Sequence, residues 1–597
     1  MWPGPVRSGA GSDQGGHLKT ESRKPSQSQF ADFSRNFLDP GTPLTRIGGG
    51  ELGGKAQGLA TIRNVLSAQL TSHKFPGISV DIPSLAVVGT NVFDAFMQHN
   101  DLYEIAYSGL PDDRIAHAFQ RADLPFEILG DLRSLVEHVH VPLAVRSSSL
   151  LEDAQNEPFA GIYASKMIPN DLYDPDVRFR QLVQAIKFVY SSTFSKSARQ
   201  YRKALGHRDE EEKMGVIIQE LVGKRYHTRF YPELSGVARS YNYYPMAPSK
   251  PEQGIVNLAL GLGKTIVDGG LCWSCSPAYP KVQPPFGSVE ELLDETQTEF
   301  WTVNMGEPPE YDPTKETEYL LLENLTAAER DGALRYLAST YSPLSSRLSI
   351  GTGFPGPRAL TFAPILVLDE LPLIGLIREL LQLCQSAMDA PVEIEFAMTL
   401  NPHRFALLQV RSMVSPFGET HLDAEELSGD NILAASESAL GNGITETIQD
   451  IIYTKPESFD LKHTTAMMPE LEHLNDRLLD EGKPYLLIAL GRLGTTDPWL
   501  GIPINWGKIS GAKVVVEATH ANVRVELSQG SHYFHNIISL GVKYFSLPLS
   551  SQHKIDWEWL ARQEVAEEAQ FLRHVRLPIP LKVKVDGRSS RGVIYKS

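Results

Sequence analysis

From Phe30 onward, apolar positions alternate between a helical period and a strand period. A glycine-dense run, Ile47-Gly48-Gly49-Gly50-Glu51-Leu52-Gly53-Gly54-Lys55, opens an Ala- and Leu-rich helix expected over Ala56–Leu70. A strand follows at Leu85–Val88, and a helix starts after Thr90. Phe179, Leu182, Ile186 and Val189 recur at helical spacing inside one long helix expected over Val177–Leu205. Met214–Val222 and Ile255–Leu260 read as strands, the second running into Gly261-Leu262-Gly263. The acidic, proline-dotted stretch Phe286–Pro313 reads as an irregular excursion. Helices are expected near Ala327–Tyr341 and Leu371–Met388, then a β-hairpin of Pro391–Met398 and Arg404–Met413. No internal repeat appears. Alternating strands and helices predict a mixed α and β fold.

At 597 residues the chain is long enough for two or three domains. Residues 1–30, rich in Gly, Ser, Gln and Lys, read as a disordered tail. Two lobes are expected at 31–235 and 236–413, a linker at 414–429, and a C-terminal α+β domain of unassigned type at 430–597. A net charge of −16 without a long basic stripe argues against a nucleic-acid partner. No run reaches the ~18 uncharged apolar residues of a membrane helix. The N-terminus lacks the apolar core of a signal peptide, so cytoplasm is the default expectation. Three cysteines exclude a disulfide framework and fit a reducing compartment. Cys272 and Cys275 form a C-x-x-C with no second pair, read as small apolar residues.

Chemistry concentrates in three places. Pro142-Leu143-Ala144-Val145-Arg146-Ser147-Ser148-Ser149 is a short strand expected to deliver a guanidinium and three hydroxyls into a loop that closes at Phe159-Ala160-Gly161. A guanidinium fork, hydroxyls and backbone N–H groups suit polyphosphate. Lys55, after two glycines at a helix start, adds a cation to an N-terminus already suited to anions; alone it reads equally as a surface lysine. In the hairpin, Val392, Ile394 and Phe396 alternate with Glu393 and Glu395, and Gln409 shares a face with Arg411. A turn centred on Pro402 sets Glu395 opposite Gln409 and Glu393 opposite Arg411. Hard oxygens in that arrangement suit Mg²⁺, and the arginine suits phosphate. A solvated face with a cross-strand ion pair accounts for the same pattern.

The Arg146 segment resembles the VRSSAxxED…FAG segment of the phosphoenolpyruvate synthase and pyruvate phosphate dikinase family. Other matches follow in order: Lys55-Ala56-Gln57-Gly58-Leu59 resembles GGKxxxL, Gly215–Val222 resembles VxVQxMV, Ser235-Gly236-Val237-Ala238-Arg239-Ser240 resembles SGVxFS, VEIEFA resembles DIEW or DIEF, and LLQVRSM resembles LQxRP. Arg202 matches a YR element, with a plain surface helix as the alternative.

The resemblance covers roughly Gly48–Met413 and implies an ATP-grasp-like nucleotide module of two lobes, with ATP and Mg²⁺ as cofactors. It implies phosphate contacts from Lys55, Arg146 and Arg411, with Arg146 and Arg411 catalytic. It implies adenine contacts along Gln219, Glu220 and Val222, and metal ligation by Glu393, Glu395 and Gln409. Lys264 departs from the pattern, standing where the family has the glutamate of GLGE.

No phosphohistidine motif or pyruvate barrel is recognisable after the hairpin. Thr71-Ser72-His73 echoes the histidine motif only by coincidence. Gly491–Trp499 and Ser528–His532 are polar and glycine-rich, either site-lining or turns. The implied function is phosphoryl transfer from ATP to an unidentified acceptor. Alternatives are a non-catalytic ATP-binding regulator and a complete pyruvate-to-phosphoenolpyruvate enzyme.

Overall fold

The computed structural model describes residues 30–35, 44–70, 74–151, 162–204, 208, 212–242, 248–268, 270–282, 289–294, 296–413, 420–494, 499, 501–504, 506–519, 542–549, 551–587 and 589–596. Helices and strands are mixed throughout, as the pattern predicts. The first sheet runs Ala31–Asp32, Leu44–Ile47, Leu85–Val88, Met214–Glu220, Leu143–Ser149, Ser165–Ile168. Its central strands Leu85–Val88 and Met214–Glu220 are largely apolar and buried, and Leu182, Ile186 and Val189 of helix Pro175–Ser192 are fully buried in the same core.

The second sheet runs Trp273–Cys275, Ile255–Ala259, Leu234–Arg239, Val392–Leu400, His403–Ser412, Ser79–Asp81. Helix Leu373–Met388 covers one face through Leu376, Ile377, Leu380 and Cys384. Helix Gly54–Gln69 belongs to the first lobe in sequence but packs on the hairpin strand His403–Ser412, where Gly58 lies against the Val410 carbonyl. It therefore ties the two sheets together.

A nine-stranded mixed sheet forms the C-terminal unit. At its centre Gly443–Thr454, Tyr485–Leu490, Ala512–Ala518 and Lys543–Leu547 run parallel in consecutive pairs, with helix Thr464–Asp480 in the first crossover. Antiparallel Leu572–Asp586 and Arg591–Tyr595 extend one side. Leu422 and Leu427 are buried against Ala435 and Val593, so part of the expected linker already packs on this sheet. No described helix is long and apolar enough to cross a membrane.

Three expected elements differ. The helix expected over Val177–Leu205 is two, Pro175–Ser192 and Lys196–Ala204. Ser191 and Ser192 turn their hydroxyls back onto the Phe188 and Val189 carbonyls, both at 2.7 Å, and Ser195 Oγ accepts from the Ala198 N–H at 3.3 Å. These local bonds end one helix and start the next. The helix expected over Ala327–Tyr341 is only Leu325–Arg330. Gly332 takes a left-handed φ of 72°, and the β-prone Ala338–Ser342 continues as a strand. The excursion Phe286–Pro313 contains a helix, Val289–Asp294, and a strand, Glu299–Asn304. Phe300 and Val303 point to opposite faces of that strand and both are fully buried, each in its own apolar cluster, which outweighs the acidic residues around them.

Candidate active site

Three features of the sequence build the floor of the cleft between the two sheets. Leu143–Ser149 pairs along its whole length with Met214–Glu220. Ser147, Ser148 and Ser149 therefore lie within a strand, fully buried, not in a ligand-facing loop as expected. Their hydroxyls act on the protein. Ser148 Oγ donates to the Leu52 carbonyl (2.8 Å) and accepts the Ala56 N–H (3.3 Å) at the start of helix Gly54–Gln69. Ser147 Oγ accepts from Lys55 Nζ at 3.2 Å. Gly53, with φ 79°, passes so close to Ser148 that a Cβ would overlap its carbonyl; only glycine allows this approach. The serines thus anchor a helix N-terminus and its lysine against Arg146. Residues 152–161, including the Phe159-Ala160-Gly161 element, lie outside the described residues.

The hairpin supplies the opposite wall, and its register is the expected one: Glu395 pairs with Gln409 and Glu393 with Arg411. The turn is tighter than assumed, with Leu400 opposite His403, and a bulge restores the pairing. Leu408 is the extra residue, since Phe396 pairs with Leu407 and Glu395 with Gln409. The bulge turns the Leu408 carbonyl to Arg146, which donates to it through Nη1 at 3.1 Å.

Arg146 Nη2 donates to Glu395 Oε2 at 2.9 Å and to Gln409 Oε1 at 2.8 Å. One cationic nitrogen thus gathers a carboxylate oxygen and an amide oxygen from two hairpin strands. Glu393, nearly fully buried, holds Arg239 Nε at 2.5 Å on one oxygen and the Arg411 guanidinium on the other. It fixes two arginines and does not line the cavity.

A cavity of about 590 Å³ lies between the sheets, lined by Lys55, Arg146, Gln219, Glu220, Val222, Glu395, Gln409 and Arg411 among others. Eight of the nine expected site residues therefore face one space. Among its lining, Met167, Leu221, Leu262 and Leu320 belong to one apolar cluster and Val222 packs with Ala397 and Leu408 in another, so apolar surface lies beside the polar groups. Gln219 is buried with its Nε2 unpartnered among the described residues. Burial holds the Glu220 carboxyl above the usual carboxylate range, against the opposing charge of Arg404.

Sequence reasoning missed Leu408, Glu316 and the anchoring role of Arg239. A bulge carbonyl leaves no side-chain signature, and Glu316 lies just past the stretch Phe286–Pro313, in a run that matches no motif. Lys264, the departure from the family pattern, lines the cavity with Asp268 at 3.0 Å and Glu316 at 3.8 Å. Its charge is met by carboxylates, and burial raises the Glu316 pKa against the pull of Lys264. Arg202 is neither a cavity residue nor a surface one: it is fully buried and donates to Tyr163 Oη (3.3 Å) and the Thr193 carbonyl (2.8 Å). Burial pushes the Cys272 and Cys275 thiols up to about 11 and about 12, in keeping with apolar packing rather than redox chemistry. Thr71–His73 and His532 lie outside the described residues.

The oxygen pair on Glu395 and Gln409 has the chemistry of a Mg²⁺ site that takes its remaining ligands from phosphate and water. Among the described residues no cluster of three or more His, Cys, Asp or Glu side chains is placed to hold a metal.

Residues 50–423, more than half of the chain, match the family described as pyruvate phosphate dikinase, AMP/ATP-binding domain. Among curated proteins, the chain is 27% identical over 213 residues to an uncharacterized phosphotransferase of Bacillus subtilis (strain 168), YvkC. It is 29% identical over 177 residues to a probable phosphoenolpyruvate synthase of Archaeoglobus fulgidus. These stretches cover 36% and 29% of this chain, and 22% and 21% of those relatives. The chain thus spans about a fifth of the length of the curated relatives it matches.

Proposed function

The chain belongs to the pyruvate phosphate dikinase AMP/ATP-binding family, and from that membership we propose that it is a Mg²⁺-dependent phosphotransferase that moves a phosphoryl group from ATP to an acceptor. The module is ATP-grasp-like, with lobes at 31–235 and 236–413 and the C-terminal unit at 430–597. Adenine occupies the apolar part of the lining, where the hinge Glu220–Val222 borders the cavity and the Gln219 amide offers a buried donor. Lys55, Arg146 and Arg411 hold the phosphates. Glu395 and Gln409 hold Mg²⁺, and Glu393 positions Arg411 and Arg239. Bound there, Mg²⁺ neutralises charge on the phosphate oxygens. The residues themselves position phosphates and offset charge, which is the main work of phosphoryl transfer.

The observation that carries this reading is the convergence of Glu395, Gln409 and the Leu408 carbonyl on one guanidinium, reached from strands far apart in sequence. An exposed polar hairpin face does not gather that way.

Incubation of the protein with Mg²⁺ and β- or γ-labelled ATP tests it. Label transferred to protein or to an added small acceptor supports phosphotransfer. Tight binding without transfer supports the regulator. No binding at millimolar ATP in a folded sample ends the reading.

A further inference from the structure

Among the described residues, the C-terminal unit approaches the nucleotide module in at least two places. One is helix Lys196–Ala204 of the first lobe, which receives helix Thr464–Asp480 and the turn Trp506–Ile509. Lys196 pairs with Glu472 at 2.6 Å, Lys203 with Asp480 at 2.7 Å, and Gln200 donates to Asp476 at 2.6 Å. Another is the edge of the second sheet. Cys272 there packs against the cluster of Val237, Ala259 and Ile266, of which Val237 lines the cavity. It lies near enough to two guanidiniums, Arg239 and Arg492, that both offset part of its burial. Arg239 is bound to Glu393, which also holds Arg411 of the cavity. Arg492 of the C-terminal unit therefore lies near the same edge of the second sheet as Arg239.

The main chain presents Arg492. It follows parallel strand Tyr485–Leu490 through Gly491, whose N–H bonds the Ala518 carbonyl at 3.0 Å. The Leu493 N–H donates to the buried carboxylate of Glu517 at 2.7 Å. Gly501 runs so close that a Cβ would overlap the Arg492 carbonyl. Arg492 thus stands at the carboxyl ends of the parallel strands, where open α/β sheets bind ligands. Arg146, Arg239 and Arg411 each have a carboxylate partner. Arg492 forms no ion pair among the described residues, and its Nε is buried without a hydrogen-bond partner. A partly buried guanidinium without a counter-charge is costly unless an anion completes it.

We propose that Arg492, on the turn fixed by Glu517, binds a small ligand bearing a carboxylate or phosphate at the junction of the C-terminal unit with the nucleotide cleft, and that this ligand is the phosphoryl acceptor. The acceptor assignment rests on the phosphotransfer reading; the anion site does not. In the transfer, a nucleophilic atom of the acceptor forms the new bond to phosphorus. The bridging phosphorus–oxygen bond breaks with its electron pair leaving on the nucleotide, and the acceptor's proton passes to water.

Inorganic phosphate and oxalate, titrated calorimetrically into the full chain with and without Mg²⁺ and a non-hydrolysable ATP analogue, test the proposal. At least one probe is expected to bind. Arg492→Gln should weaken it by about tenfold or more, with Arg492→Lys in between, while analogue affinity stays within about twofold. In the wild type the bound probe should also change the alkylation rate of Cys272, a readout that needs no variant. Failure of both probes at about 10 mM, equal binding by Arg492→Gln, or unchanged Cys272 alkylation overturns the site. Arg492-dependent anion binding in a protein that ignores the ATP analogue overturns phosphotransfer and leaves the anion site standing.

Discussion

At Arg146 a single guanidinium reaches two strands of the other lobe and a bulge carbonyl between them. Lysine can hold one of those oxygens at a time, without the planar fork. Arg146→Lys should therefore weaken Mg-ATP binding by roughly 1.5–3 kcal/mol, the worth of charged hydrogen bonds, with the thermal midpoint little changed; calorimetry on the folded variant reads this. Glu395 and Gln409 make a sharper test. If both act through one cation, their effects on Mg-ATP turnover are strongly non-additive. The double variant Glu395→Gln with Gln409→Ala should then lose little more than Glu395→Gln alone. Independent effects of about half a kcal/mol or less would return the pair to a structural role. Lys264 shows why a single departure from a motif is ambiguous from sequence. Its charge reversal looks disabling until Asp268 and Glu316 are seen beside it.

Among the elements, the hairpin was the most legible part of the site, and for a partly accidental reason. Alternation of apolar and acidic residues assigns the faces, but a turn centred on Pro402 is one residue longer than the observed one, and the bulge at Leu408 makes up the difference. Bulges follow from packing against a neighbour, which one strand's sequence does not contain. The break between Ser192 and Lys196 was hidden likewise, since it depends on serine hydroxyls choosing backbone over solvent. The buried serines after Arg146 were legible as polar but not as anchors, because their partner is the start of a helix some ninety residues earlier.

In the C-terminal sheet, the pairing of Gly443–Thr454 with Leu572–Asp586 carries a testable charge cluster. His574 accepts from Arg477 at Nδ1 and so donates from Nε2 to Asp450, both at 2.7 Å, while Arg576 reaches Asp450 at 2.8 Å. Burial alone would raise the Asp450 pKa. The bonds from His574 and Arg576 outweigh it and hold the carboxyl below its usual value. A depressed native pKa stabilises above the unfolded value of about 3.9, and that stability is lost as pH falls through the native value. Asp450→Asn should thus cost about 1–3 kcal/mol near neutrality and progressively less in acid. Urea unfolding at several pH values checks this; a constant difference across pH would remove the charge from the account.

For the whole molecule, the question is what keeps the C-terminal unit, and with it Arg492, against the nucleotide module. Charge is the obvious candidate, since helix Thr464–Asp480 sets Glu472, Asp476 and Asp480 against Lys196 and Lys203. Yet the Lys196, Lys203 and Asp480 side chains are half or more exposed, and exposed pairs contribute only about 0.2–1 kcal/mol each. Beneath them Met467, Leu471, Leu474 and Leu478 join Ala198 and Tyr201 in one continuous apolar cluster. Truncating a buried leucine in such a cluster costs about 2–5 kcal/mol. Leu474→Ala should therefore lower the unfolding midpoint, split the calorimetric transition into two, and abolish any effect of the nucleotide analogue on anion binding at Arg492. Lys196→Glu should do none of these, beyond a small shift that vanishes at high salt as the pair is screened. If Lys196→Glu uncouples the units and Leu474→Ala does not, docking is electrostatic, and assembly of the acceptor site would vary with ionic strength rather than being fixed by the core.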